Sequence, residues 1–206
     1  MPDQYSYSSA RFAELVPMTR QQLVEKLRGQ LSDYRFNHCL RVEQTAMALA
    51  AENGVDITQA GIAGLLHDYA KEKSDAEFKA MIAKHQLDTE LLAYGNNIWH
   101  GEVGQYFIAE ELGVTDPEIL SAIAHHTSGA AQMSTLDKII FVADYVEPGR
   151  DYPGAAAARA SVAAGLDAAV AYELDHTLIH LIDKQQRVYP AMFAAYNQYG
   201  LKQEEH

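Results

Sequence analysis

The chain has 206 residues, 48% of them hydrophobic, and a formal net charge of −12. This length suits one domain with a sizeable core, while the negative charge argues against binding to DNA or RNA, which depends on Lys and Arg at phosphates. A single cysteine, Cys39, excludes an internal disulfide and a thiolate-rich zinc cluster. Any metal should therefore be held by imidazole and carboxylate groups.

Neither a membrane span nor a targeting segment is evident in the sequence. No stretch approaches the roughly 18 uninterrupted apolar residues of a spanning helix. The first residues, Met1 to Ser6, lack a basic segment followed by an apolar one. We therefore expect a cytoplasmic protein that has no membrane partner and no nucleic-acid polymer as partner.

The first third of the chain predicts a lead-in followed by two helices. Residues 1–18 are polar and show no sustained period, so we expect a poorly ordered segment. From Thr19 onward, apolar residues recur at helical spacing as far as Asn53-Gly54, with a break near Gly29. His38 lies in the second helix; alone, it is more often a hydrogen-bonded core histidine than a metal ligand.

The next helix ends in adjacent imidazole and carboxylate groups, His67 and Asp68. The pair alone is a weak indication, and it needs ligand-type partners elsewhere in the chain. Gly61 and Gly64 each cost roughly 1 kcal/mol relative to Ala inside a helix, which indicates that another helix, we expect the His38 helix, crosses closely there. Lys71, in the following turn, suits either a surface position or a phosphate contact.

Three further segments carry ligand-type side chains. His100 is predicted at the start of a helix that ends at Gly113. A helix starting at Asp116-Pro117 carries His125 and His126 at its end. Because adjacent helical residues diverge by about 100°, only one of this pair should face a shared site. We favour His126, together with Thr127.

Asp144 stands inside the apolar run that begins at Ile139. A buried carboxylate is costly unless it is paired or bound to a cation, so its position favours a metal ligand. Arg150 follows on a turn rich in Pro and Gly. Helices are predicted over residues 155–164 and 166–182, and we expect both to have a structural role only. A last helix is predicted over residues 190–199.

The order of these residues, H…HD…H…HH…D, resembles the ligand order of the HD-domain metal-dependent phosphohydrolases. Within that superfamily, several segments are similar to the YqeK-like group of symmetrical bis(5′-nucleosyl)-tetraphosphatases: Arg35-x-x-His38, residues 66–71, His126-Thr127, residues 143–150, and Tyr189-Pro190 with Asn197. The similarity extends over roughly residues 30–200. The segment Ala143 to Arg150 carries most of the assignment to this group.

The resemblance implies an all-α fold, a single HD-domain helical bundle over residues 19–200 with a tail at 201–206. It implies that His38, His67, Asp68 and Asp144 hold a divalent ion, with iron favoured and manganese, cobalt or zinc also compatible. His100 and His126 could bind a second ion or act in proton transfer. Nucleotide contacts are expected from Arg35, His100, His126, Thr127, Asp144, Arg150, Arg187 and Tyr189. Catalytic roles are expected for Asp68, Lys71, His100 and His126.

The expected reaction is the metal-dependent hydrolysis of a dinucleoside tetraphosphate, with diadenosine tetraphosphate and water giving two ADP. Two alternatives stay open: a phosphohydrolase that acts on mononucleotides, and a nucleotide-binding regulator without turnover. The complete ligand order argues against the regulator. A homodimer is compatible with the sequence.

Overall fold

The computed structural model describes residues 5–200, and in this range the chain forms helices and no strands. The twelve α-helices of this range are α1 (Ser9–Leu15), α2 (Arg20–Gln30), α3 (Asp33–Asn53), α4 (Ile57–Leu66), α5 (Asp75–Lys84), α6 (Asn96–Glu102), α7 (Gly104–Leu112), α8 (Pro117–His125), α9 (Thr135–Val146), α10 (Ala155–Val162), α11 (Leu166–Asp183) and α12 (Pro190–Ala195). A 3-10 turn, Thr89–Ala93, precedes α6, and a π-helical turn, Tyr196–Gly200, follows α12. The predicted all-α fold is confirmed. Within this range, no helix combines the length and apolar character needed to cross a bilayer.

Several helices start with a capping side chain. Asp56 accepts hydrogen bonds from two backbone N–H groups at the start of α4, and Asp116 does the same for α8, which begins with Pro117. Ser74 and Ser134 form capping boxes at α5 and α9. Each cap satisfies backbone donors that a helix start leaves without a partner.

The close crossing predicted from two glycines is also found. α4 packs against α3, and both pack against α9. A Cβ placed on Gly64 would lie 3.0 Å from the carbonyl oxygen of Val42 and 3.0 Å from Cβ of Ala46, both in α3. A Cβ on Gly61 would meet Met47 of α3 and the ring of Tyr7. The glycines thus let the His67-Asp68 end of α4 approach the helix that carries His38.

The predicted lead-in is corrected by the structure. α1 lies within residues 1–18 and buries Phe12 and Leu15. The hydroxyl of Tyr7 donates to Glu43 Oε1 at 2.5 Å. A helix of seven residues is too short to show a clear helical period, which is why the sequence pattern missed it. Residues 1–4 of the predicted lead-in and the predicted tail at 201–206 lie outside the described residues.

Two predicted helix boundaries differ from the structure. The break expected near Gly29 falls at Leu31 and Ser32, because the Ser32 side chain caps α3. His100 lies within the short helix α6 rather than at a helix start. α6 is anchored by Trp99, whose indole N–H donates to the carbonyl of Leu91 at 2.7 Å.

Candidate functional site

Four side chains from separate parts of the chain meet beside the α3–α4 crossing. His38 comes from α3, His67 and Asp68 follow the last residue of α4, and Asp144 comes from α9. His38 Nε2 lies 3.2 Å from His67 Nε2 and 3.0 Å from Asp144 Oδ1. His67 Nε2 lies 3.4 Å from Asp68 Oδ2. The four residues predicted to share an ion are therefore neighbours, while their binding of an ion stays a prediction.

A second group, formed by His100 and His126, adjoins the first through Asp68. The Oδ2 atom of Asp68 faces His38 and His67, and its Oδ1 atom lies 3.4 Å from His100 Nε2 and 3.9 Å from His126 Nε2. His126, the favoured member of the doublet, faces this group. Asp68 thus lies between two sets of imidazoles. We call the two groups together the polar cluster; its members are His38, His67, Asp68, His100, His126 and Asp144.

Thr127 and Lys71 border the second group. Thr127 Oγ1 lies 3.0 Å from His100 Nε2 and 3.1 Å from His126 Nε2. Lys71 Nζ lies 3.3 Å from both ring nitrogens of His100. His125 instead has its Nδ1 atom 3.6 Å from Asp137 Oδ2.

The four imidazoles of the cluster share one tautomer, with the proton on Nδ1. In each, Nδ1 donates to an oxygen that can only accept, at 2.6 to 3.0 Å: Glu147 Oε1 for His38, and the carbonyls of Gly64, Asn96 and Ile123 for His67, His100 and His126. With the proton on Nδ1, Nε2 carries a lone pair. The Nε2 atoms of His38 and His67 face each other at 3.2 Å, and those of His100 and His126 at 3.0 Å. Facing lone pairs require a proton or a cation between them, so both groups fit a bound metal ion.

An arginine accompanies each carboxylate of this region. Arg35 Nη1 donates to Asp68 Oδ2 at 2.6 Å. Arg150 donates to a side-chain oxygen of Asp144 and, through Nε, to the Asp144 carbonyl at 2.8 Å. The predicted substrate-binding arginines Arg35 and Arg150 therefore contact the cluster.

Sequence reasoning missed one pair, Glu147 and Arg41. Arg41 Nε donates to Glu147 Oε2 at 2.6 Å, and Glu147 also accepts from His38. The available signal was its position three residues after Asp144, a spacing that puts the two carboxylates on the same side at the C-terminal end of α9.

Burial and charge together set the pKa values in the cluster. Burial alone raises the pKa of Asp68, but its interactions with His67, His100 and Arg35 outweigh burial and hold that pKa well below the usual range. The same opposition, with Arg150 as the main favourable charge, holds the pKa of Asp144 well below the usual range. Burial lowers the pKa of Lys71, and burial with the neighbouring His67 lowers the pKa of His126 to about 4. The carboxylates are thus ready to bind a cation, and His126 is neutral near pH 7.

A cavity of about 390 Å³ opens beside the second group. Thr127 lines it and also contacts the cluster, so the two are continuous. The rings of Tyr94 and Tyr189 meet edge to face there, with centroids 5.0 Å apart. Arg187 lies in the same cavity, where its Nη1 donates to the Ala93 carbonyl at 3.1 Å. The predicted residues Arg187 and Tyr189 therefore lie in this cavity and not in the cluster itself.

A larger cavity of about 900 Å³ lies between α1 and α2. Its walls include Tyr7, Phe12, Val16 and Arg20, and none of the predicted site residues lines it. The chemistry-bearing side chains converge elsewhere, so we place the functional site at the cluster.

The chain is similar to known proteins over most of its length. A family model described as HD domain matches residues 35–149. The symmetrical bis(5′-nucleosyl)-tetraphosphatase of Bacillus subtilis (strain 168) is 38% identical over 180 residues, which cover 87% of this chain and 97% of the relative. The protein of the same name from Halalkalibacterium halodurans is 37% identical, with 90% of this chain and 100% of the relative covered.

A solved structure shows a similar fold. It is the crystal structure of a predicted HD superfamily hydrolase involved in NAD metabolism from Clostridium acetobutylicum. The two chains are 31% identical and superpose with a TM-score of 0.84, over 88% of this chain and 97% of the other. The similarity in sequence and the similarity in fold thus each cover nearly nine tenths of the chain.

Proposed function

Because the chain belongs to the HD-domain family, and within it to the group of its tetraphosphatase relatives, we propose that it hydrolyses dinucleoside tetraphosphates symmetrically. Diadenosine tetraphosphate and water would give two molecules of ADP. The observation that carries the proposal is the inward orientation of four imidazole Nε2 atoms around Asp68, with a cavity beginning at the edge of the same cluster. That arrangement combines a cation site with room for a nucleoside.

The proposed cofactor is a divalent ion held by His38, His67, Asp68 and Asp144. Imidazole and carboxylate ligands suit iron, manganese, cobalt and zinc, and the resemblance to the family favours iron. A second ion would be held by Asp68 with His100 and His126, whose ligand atoms lie within 4.8 Å of one another. Such ions, when bound, supply Lewis acidity that activates water and offsets phosphate charge.

The cationic side chains around the cluster are proposed to bind the phosphates. Arg35 and Arg150 already contact carboxylate oxygens, and a guanidinium binds phosphate oxygens through the same paired N–H groups. Lys71, beside His100, adds an ammonium group that can donate to a phosphate oxygen or a leaving oxygen. These three residues would fix which phosphorus faces the cluster.

The cavity is proposed to bind one nucleoside. Its volume of about 390 Å³ lies in the range of small-molecule pockets. Tyr94 and Tyr189 supply aromatic surface on which a base can stack. The guanidinium carbon of Arg187 lies 5.7 Å from the centre of the Tyr94 ring. Thr127 would lie where the nucleoside ends and the phosphates begin.

The position of bond cleavage tests the proposed function. Diadenosine tetraphosphate is hydrolysed by the metal-loaded protein in heavy-oxygen water, and the products are separated early in the reaction. Attack on the phosphorus next to the central bridging oxygen puts the label in ADP alone. AMP with ATP as the first product pair would overturn symmetrical cleavage, and no turnover with tight binding of adenine nucleotides would favour a regulator.

Two further properties belong to the same proposal. We infer a cytoplasmic location from the proposed nucleotide substrate, and a homodimer is compatible with the sequence. Mononucleotides serve as comparison substrates in the assay. Faster turnover of a mononucleotide than of diadenosine tetraphosphate would replace the proposed substrate class with the simpler one.

A further inference from the structure

The cluster and its cavity have two unlike ends. At one end, Thr127 leads into the cavity that would bind a nucleoside. Contacts then continue through His126 and His67 to His38 and Asp144. At that far end Arg150 contacts Asp144, and Arg35 contacts the Asp68 oxygen that faces His38 and His67. A dinucleoside tetraphosphate held across this row has its second nucleoside beyond these arginines, away from the cavity.

Tyr34 lies at the far end. It precedes His38 by four residues and Arg41 by seven in α3, so the three side chains share one face of the helix. The guanidinium carbon of Arg35 lies 5.9 Å from the centre of the Tyr34 ring, and Arg35 Nη1 contacts Asp68 Oδ2 at 2.6 Å. One guanidinium therefore separates the ring from the polar cluster.

The exposure of Tyr34 is the second observation. Its exposed fraction is 69%, the highest among the large hydrophobic side chains that stand exposed within residues 5–200. A single exposed tyrosine is ordinary on a protein surface. This one, however, offers an exposed aromatic ring beside Arg35, on the same face of α3 as Arg41, at the end of the row that lacks the cavity. Aromatic side chains with adjacent cations are a recurrent way to bind a base and the phosphates attached to it.

We propose that Tyr34 binds the second nucleobase of a dinucleoside tetraphosphate by stacking, while Arg35 lies beside the adjoining phosphates. This inference rests on the proposed function. It assigns unequal sites to the two nucleosides of one substrate: an enclosed cavity at Tyr94 and Tyr189, and an open platform at Tyr34. Stacking does not discriminate between bases, because every base has an aromatic face, so this platform accepts any nucleobase.

The test compares a ligand with two nucleosides and a ligand with one. Tyr34→Ala and the control Tyr34→Phe, which keeps the aromatic face, are assayed for the KM of diadenosine tetraphosphate. The inhibition constant of adenosine 5′-tetraphosphate is measured on the same proteins. Tyr34→Ala should raise the KM by about 5-fold or more, from the usual contribution of a stacked base. It should leave the inhibition constant unchanged, and Tyr34→Phe should behave as the parent.

Three results would overturn the proposal: an unchanged KM in Tyr34→Ala, an equal loss for both ligands, or a change in oligomeric state by light scattering, which would make Tyr34 a subunit contact. Because Tyr34 is so exposed, the variant should keep the parent melting temperature. If the parent protein fails to hydrolyse diadenosine tetraphosphate, the proposed function fails. Binding titrations with the same two ligands then still test Tyr34 separately.

Discussion

Glu147 holds His38 in the orientation that directs Nε2 into the cluster. Its carboxylate, only 1% exposed, accepts hydrogen bonds from His38 Nδ1 at 3.0 Å and from Arg41 Nε at 2.6 Å. Burial alone raises the pKa of Glu147, but His38, Arg41 and the backbone N–H of Gly149 outweigh it and lower that pKa to about 2. A carboxylate that orients a metal-binding histidine strengthens metal affinity without touching the ion.

Replacing Glu147 by Ala should weaken binding of a divalent ion by about 10- to 100-fold. Glu147→Gln should lose less, because its amide oxygen still accepts from His38 Nδ1. Competition with a chelator, followed by metal analysis, measures the affinity, and Asp144→Ala gives the reference for loss of a proposed ligand. Glu43, another buried carboxylate paired with an arginine, supplies the control variant Glu43→Ala. Equal loss in the Glu147 and Glu43 variants would contradict this role.

Glu173 carries a buried carboxyl oxygen without a hydrogen-bond partner among the described residues. Burial, with Asp144 as a smaller contribution, raises its pKa well above the usual range. The folded state therefore keeps a proton that the unfolded state releases. The stabilisation is complete below about pH 4, the usual range of a glutamate, and is lost as the pH rises toward the pKa in the folded state.

Glu173→Gln imitates the protonated form, so it should remove this loss. Relative to the parent protein, the variant should gain about 1–3 kcal/mol of unfolding free energy on going from pH 5 to pH 8. Urea unfolding at the two pH values measures the difference. Glu52→Gln removes one exposed carboxylate and serves as the control. A difference between Glu173→Gln and the parent that does not change with pH would refute the prediction.

At the scale of helices, the α3–α4 crossing brings His38 to His67 and Asp68. Gly64→Ala places a methyl group against the backbone of α3, which no side-chain rotation can relieve. Overpacking of this kind costs about 1–3 kcal/mol and outweighs the roughly 1 kcal/mol that Ala gains in helix propensity. We expect a net destabilisation of up to about 2 kcal/mol and weaker metal binding.

Gly29 in α2 supplies the matched control, because no atom lies within 4 Å of a Cβ placed there. Gly29→Ala should leave metal binding unchanged and stabilise the protein by up to about 1 kcal/mol. Denaturant unfolding of the two variants separates packing from helix propensity. Stabilisation by Gly64→Ala would show that the crossing is looser than the structure indicates.

Helices were predictable where local signals were strong. Capping residues such as Asp56 and Ser134 accept hydrogen bonds from backbone groups two or three residues away, so a short stretch of sequence is enough to indicate them. α1 was missed because its stability comes from burying Phe12 and Leu15 against later helices. A helix of seven residues depends on such tertiary packing more than on its own propensity.

For the whole molecule, the type of each site residue was predictable and its environment was not. The order of His and Asp residues along the chain pointed to His38, His67, Asp68 and Asp144, and the structure brings their side chains together. The contact between His38 and Glu147 joins residues 109 positions apart. No local pattern reports such a contact, because it exists only after α3 and α9 have packed.

The unlike ends of the site have a consequence for a substrate with twofold symmetry. Under the proposed function, either half of diadenosine tetraphosphate can enter the cavity beside Thr127, and the two orientations are the same complex. This statistical factor of two contributes about 0.4 kcal/mol to binding. A substrate with two different bases gives two distinguishable complexes, yet cleavage at the central bridge yields the same diphosphates from both. A protein whose two nucleoside sites differ can thus treat the two ends of a symmetric substrate alike, without a second copy of the cavity.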